Sequence, residues 1–373
     1  MASSTGQAAP IPAPPVVATA APPPAATMEP KMDAGLLALA RSGSYEDLES
    51  LLNGKPAAYT LGSSARQPPP LYALTVGGAT LLHVVAAVYG DSEDSTKKAR
   101  LVYDKAPSLL FVQNNDGDTP LHCAARAGNF GMVSRLVDLA NGQGVNNAKG
   151  LLETQNKIHE TALHQAVRSG DNDMVKLFME ENPQLARFPE QGTSPLYLAI
   201  LLKNKIIAKT LYEMSGGVLS YSGPNGQNVL HVAVQRSQGS QLLKANPDAL
   251  YQPDHSGSFP THVAASTGAT WVIDDFLMKS PNCAGLLDAR GRTFLHVAVD
   301  RMKIGTVNYV CRNIALSWIL NMQDKDGNTA LHLAVRKGSL RMFCFLIRNR
   351  QVQLNLINEE GKTPRDIVDY SLP

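Results

Sequence analysis

Apolar residues in this chain fall into short clusters with helical spacing, and turn residues separate them. Leu121, Ala124 and Ala125 form one such cluster, and Met132, Val133, Leu136 and Val137 form the next. The same couplet recurs further on, where Trp271, Val272, Phe276 and Leu277 mark the second helix of another pair. Spacing of three and four residues puts each set on one helical face. Between the helices of a pair stands a glycine, at Gly90, Gly128, Gly170, Gly268 and Gly338. A glycine there ends the first helix in a conformation that other residues adopt at a cost. The pattern therefore predicts paired short helices from one end to the other, and no strands.

The first helix of each pair begins with Gly-x-Thr-x-Leu-His-x-Ala. Its best copies run from Gly117 to Ala124 and from Gly327 to Ala334. Taking the Thr position as phase marker gives Thr80, Thr119, Thr161, Ser194, Asn228, Phe259, Thr293, Thr329 and Thr363, with spacings of 39, 42, 33, 34, 31, 34, 36 and 34. Thr or Ser suits a helix N-cap because its oxygen accepts an amide from the first turn. Proline follows at Pro120, Pro195 and Pro364, where a missing N–H does no harm. These spacings scatter about a 33-residue period, and the chain resembles the ankyrin-repeat family over about Ala34 to Leu372. That resemblance implies an all-α fold, a helix-turn-helix solenoid of about ten units over residues 32–373.

Both ends of the array read as atypical. Leu36 to Gly43 has inner-helix spacing, with Leu48, Leu51 and Leu52 as its outer partner, but the Thr-x-Leu-His portion is absent, as in a degenerate N-terminal cap. Gly361 to Val368 starts a last repeat that is truncated at Pro373 before any outer helix. Two insertions, Ala57 to Pro70 and Asn141 to Lys149, read as exposed loops. Only 31 residues separate Asn228 from Phe259, which leaves a shortened outer helix around Gln241, Leu242 and Leu243. The stack is expected to be weakest there. Ahead of the array, residues 1–31 hold eight prolines between Pro10 and Pro30, and no charge between Ala2 and Met28, and read as a disordered Pro/Ala leader.

Composition narrows the function classes. With 34 Lys+Arg against 32 Asp+Glu in 373 residues, nothing points to nucleic acid. Four scattered cysteines, Cys123, Cys283, Cys311 and Cys344, have neither zinc spacing nor a disulfide framework and suit a reducing compartment. No run of apolar residues is long enough to span a membrane. Charge is nevertheless uneven, with 11 Lys+Arg against 6 Asp+Glu between Arg301 and Pro373.

Seven of nine histidines (His83, His122, His164, His231, His262, His296 and His332) occupy one repeat position. Copies a whole repeat apart cannot share a metal, so each is expected to bond the turn of its own or the adjacent repeat. His122 and Cys123 are neighbours on a helix and point about 100° apart, which rules out mutual activation. Gly361-Lys362-Thr363 lacks the glycine-rich stretch that would cradle a phosphate. The expectation is a protein without catalytic residues, metal, cofactor or small-molecule substrate. Its partners would be proteins, held on the concave face formed by turn tips and inner-helix ends. Aligned to the motif, that face is Asn115, Asp116, Asp118 and Arg126 in one unit, then Lys157, Ile158, Glu160 and Arg168, and finally Lys325, Asp326, Asn328, Arg336 and Lys337.

A narrower resemblance lies in Met28 to Met32, in Glu153 to His164 and in the closing Gly361 to Val368. These are similar to plant ankyrin proteins of the accelerated-cell-death type. In that family a repeat array precedes a membrane domain named for a Pro-Gly-Gly motif, and its members act in defence signalling at membranes. The resemblance implies a defence-related interaction module, in the cytoplasm or at the cytosolic face of the plasma membrane. No Pro-Gly-Gly is present, so the alternative is a soluble truncated regulator that associates with full-length membrane-anchored relatives. Met28 and Met32 rival Met1 as the start of translation.

Overall fold

A computed structural model describes residues 32–54, 71–90, 92–236 and 246–371, with side chains to residue 367. The expected leader, the Ala57 to Pro70 loop and the helix around Gln241 to Leu243 lie outside the described residues. Among those described, helices account for the regular structure, and extended pairing is limited to one isolated bridge, Ser222 to Asn228. All nine phase positions precede a helix by one residue, from Thr80 before Leu81–Ala86 to Thr363 before Pro364–Ser371.

The Thr119 unit shows how the sequence builds one layer. Thr119 is extended (φ −86°, ψ 167°) and Pro120 opens the inner helix Pro120–Arg126. Leu121, Ala124 and Ala125 are fully buried against the neighbouring inner helices, and the two alanines allow the close approach. Gly128 turns the chain at φ 66°. Asn129 then caps the outer helix Phe130–Asn141 by accepting the Met132 amide (2.9 Å). Its Nδ2 also donates to the carbonyls of Val88 and Gly90 in the preceding unit (3.1 and 2.9 Å). The outer helix buries Met132, Val133, Leu136 and Val137 as its spacing requires. The N-terminal cap is likewise a helix pair, Ala34–Ser42 and Tyr45–Leu52, joined at Gly43 and Ser44.

Two features depart from the sequence reading. The Asn141 to Lys149 insertion is not a loop: a helix, Val145–Glu153, fills it. Ala148, Leu151 and Leu152 recur at helical spacing and are buried, which gives the insertion an apolar stripe to pack. Short 3-10 helices also follow the outer helices at Pro107–Phe111, Pro183–Arg187 and Pro281–Gly285, and another stands at Pro247–Tyr251. Each starts with proline and buries the residues two and three places later: Leu109 and Leu110, Leu185 and Ala186, Ala249 and Leu250, Cys283 and Ala284.

The core has two main clusters, Met32 to Leu211 and Leu230 to Val352. A smaller group of Leu196, Tyr197, Ile200, Val229, Val232 and Ala233 lies where they meet. That join falls at the Ser194 and Asn228 units.

Candidate partner-binding face

The repeated histidines are structural, and each ties two units together. In every case Nδ1 accepts the amide of its own N-cap residue, at 3.0 to 3.2 Å. Nε2 donates to a backbone carbonyl of the following unit, those of Asp118, Glu160, Thr193, Ser258, Arg292, Asn328 and Lys362 in turn, at 2.8 to 3.1 Å. Both ring nitrogens are thereby used, which leaves none for a metal and assigns the neutral Nε2–H tautomer. Burial pushes the pKa of all seven below the ordinary histidine value, and takes that of His164 down to about 3. Burial moves the thiols the other way, Cys123 and Cys311 up to about 11 and Cys283 up to about 12. A thiol held there is a poor nucleophile. Among the described residues no three His, Cys, Asp or Glu side chains are grouped to hold a metal ion.

The Ser194 unit carries Tyr197 at the histidine position. Its longer side chain passes the backbone and donates to Gln227 Oε1 (2.7 Å). A Cβ at Gly223 would overlap the Tyr197 ring, so the tyrosine depends on that glycine.

Of the thirteen face residues, ten are exposed: Asn115, Asp116, Arg126, Lys157, Ile158, Arg168, Lys325, Asp326, Arg336 and Lys337. The other three correct the sequence reading, because Asp118 (0 %), Glu160 (3 %) and Asn328 (1 %) are buried. These residues precede the N-cap, where the turn folds back beneath the next unit. Asp118 accepts Asn156 Nδ2 of that unit (2.9 Å), and Asn328 accepts Asn358 Nδ2 (3.0 Å). Asp118 also pairs with Arg126, and Glu160 with Arg168. Gln165 links the two pairs, accepting Arg126 Nε (3.4 Å) and donating to Glu160 (3.1 Å). The Thr119 and Thr161 units thus present one connected strip.

The Thr329 unit stands toward the other end, where Lys337 pairs with Asp300 (2.7 Å) and Arg336 with Glu360. Backbone bonds join the tips of several adjacent units: the Lys157 amide donates to Asp116 (2.9 Å) and the Glu359 amide to Asp326 (3.0 Å). In the middle of the stack the corresponding helix-end positions are uncharged, Leu201, Gln235 and Ser266. That gap between two charged strips was written in the sequence, but single-unit alignment did not bring it out.

Comparisons with known proteins identify the repeat. Family models described as ankyrin repeats match residues 84–137, 139–221 and 314–368, together about half of the chain. The chain is 29 % identical to human Rabankyrin-5 over 174 residues, 46 % of this chain and 14 % of that protein. It is 30 % identical to alpha-latrotoxin-Lh1a of Latrodectus hasselti over 141 residues, covering 34 % and 10 %. With the chicken (Gallus gallus) nuclear factor NF-kappa-B p105 subunit it shares 28 % over 131 residues, covering 33 % and 13 %. The chain thus spans only 10 % to 14 % of these relatives' lengths. Among solved structures, the repeat domain of Bcl-3, of the IkappaB family, is similar at 24 % identity and a TM-score of 0.39, covering 68 % of this chain and 98 % of that one.

Proposed function

Because the chain is an ankyrin-repeat protein, we propose that it is a non-catalytic interaction module, serving defence-type signalling in a plant cytoplasm, with protein partners held across the turn tips and inner-helix ends. One observation carries this reading. The histidine position and most N-cap positions that recur along the stack are buried in it. The exposed turn tips vary, as Asn115 and Asp116, Lys157 and Ile158, and Lys325 and Asp326, beside an exposed arginine that the three units share, Arg126, Arg168 and Arg336. Variation on a rigid frame is what partner selection requires.

Capture of partners from plant tissue tests it. Arg126→Glu combined with Arg168→Glu should release the captured protein at a temperature where circular dichroism shows the variant folded, since each change also sets a carboxylate against buried Asp118 or Glu160 and lowers the melting temperature. Unchanged capture would sink the reading.

A second reading, association with membrane-anchored ankyrin relatives, draws on the outer helix Leu340–Arg348. It leaves Leu340 (72 %) and Ile347 (40 %) exposed, a surface on which a further repeat could stack. Among the described residues no helix is long and apolar enough to cross a membrane. Extraction with and without detergent separates the readings: co-purification of membrane relatives supports the second, and soluble complexes free of them support the first.

A further inference from the structure

The row of turn tips opens at one place, and the opening is shaped as a site. In the regular pairs, the residue four before the N-cap donates its amide to the carbonyl three before the preceding N-cap. Asn115 reaches Gly77 (3.0 Å), Lys157 reaches Asp116 (2.9 Å), His255 reaches Asn225 (2.9 Å), Lys325 reaches Arg290 (3.0 Å) and Glu359 reaches Asp326 (3.0 Å). Glu190 holds the donor position in the Ser194 unit but makes no such bond to Ile158. In the next unit the donor position is Pro224, which has no amide hydrogen. These two successive rungs are missing; Ala289 of the Thr293 unit also makes no such bond to Ser256, but a Cβ at Gly257 would stand 2.6 Å from its nitrogen, so that tip stays closed.

The turn glycines report the same break independently. A Cβ built at Gly78, Gly117, Gly226, Gly257, Gly291 or Gly327 would stand 2.6 to 3.1 Å from the backbone nitrogen of the following tip. At the corresponding place in the Thr161 unit the chain carries His159, a full side chain at φ 61°. It fits because no tip presses against it. A Cβ at Gly192, one unit on, would touch only Pro189 of its own turn.

The space left open is a notch of about 740 Å3, lined among others by His159, Glu190, Gln191, Tyr221, Asn225 and His255. Room of that size takes a short peptide segment. Among the described lining residues Glu190 is the only carboxylate; it is exposed and forms no ion pair with a described residue. Ile158 directly precedes the lining residue His159; its carbonyl accepts no backbone hydrogen bond among the described residues, and its side chain is 65 % exposed. We propose that this notch is a second docking site, which receives a turn of a partner protein bearing Lys or Arg: the turn supplies the missing backbone rung to Ile158, and its cation faces Glu190. The charged strips on either side take no part.

A display library of disulfide-cyclised random hexapeptides, panned on the full chain, tests this. Enriched peptides should share a Lys or Arg. Their affinity should fall at least about tenfold in Glu190→Lys, as for a close charge pair turned repulsive, and comparably in Gln191→Trp, which fills the notch. It should be unchanged in Arg126→Glu. Both notch residues are exposed, so unchanged circular dichroism and melting should confirm that these variants fold. Peptides without a basic residue, indifference to Glu190→Lys, loss in Arg126→Glu, or no binder at all would each overturn the proposal. Loss of partner capture in the Arg126→Glu, Arg168→Glu pair with peptide binding intact would leave the notch and the face as separate sites.

Discussion

At the scale of single residues, the fold is governed by a neutral imidazole with both nitrogens engaged. His296 is fully buried between the Thr293 amide (3.2 Å) and the Asn328 carbonyl (3.1 Å). Truncation to alanine strands both partners, so His296→Ala should cost about 2–4 kcal/mol in urea unfolding. The seven histidines also fix the response to acid. Their folded pKa values lie below the unfolded value of about 6.5, so the unfolded chain binds more protons between the two. Stability is then full above about pH 6.5 and is lost as pH falls toward each folded value, about 3 for His164. Unfolding free energy measured from pH 7 to 4.5 should steepen toward an uptake of several protons, and a flat profile would contradict the burial. In the opposite direction, Thr261 sits where the motif has leucine, and its buried hydroxyl has no partner. Thr261→Val should raise stability by about 1 kcal/mol in the same unfolding assay.

At the scale of elements, what could be read in the sequence follows from what each element repeats. Inner helices and their caps recur nine times and the histidine bracket seven, and the helix starts were legible to the residue. The helix Val145–Glu153 occurs once, among the polar residues Asn146, Asn147 and Lys149, and its stripe of Ala148, Leu151 and Leu152 was too short to stand out. The Pro-initiated 3-10 turns do recur, but they run against the outer helices in sequence and merge with them in a hydrophobic pattern. Burial of Asp118, Glu160 and Asn328 was hidden for a different reason: each faces a neighbouring unit, and a one-unit alignment contains no neighbour.

The Ser194 element shows how such a neighbour matters. Gly223 and Tyr197 are 26 residues apart and share one volume. Gly223→Ala should destabilise by about 1–3 kcal/mol, and much less in a Tyr197→His background, which a double-mutant cycle in urea would measure.

At the scale of the whole molecule, the stack is two hydrophobic bodies joined through a small third. Arrays of this kind hold together by contacts between successive units, so the join sets how far unfolding propagates. Thinning it with Val232→Ala should split thermal unfolding into two transitions. The same change deep in the first body, Val133→Ala, should lower a single one. Calorimetry distinguishes these outcomes, and one shared transition in both variants would show the join to be as firm as its neighbours.

The seven forward bonds end on seven different residues, namely Asp118, Glu160, Thr193, Ser258, Arg292, Asn328 and Lys362, because each histidine reads a main-chain oxygen that every amino acid carries. A unit can therefore be copied, deleted or exchanged without any matching change in the one before it. Lengthening by duplication and divergence by recombination come almost free of structural penalty in such a chain. What resists shuffling is the one place where a side chain replaced that oxygen: Tyr197, Gly223 and Gln227 must be inherited together.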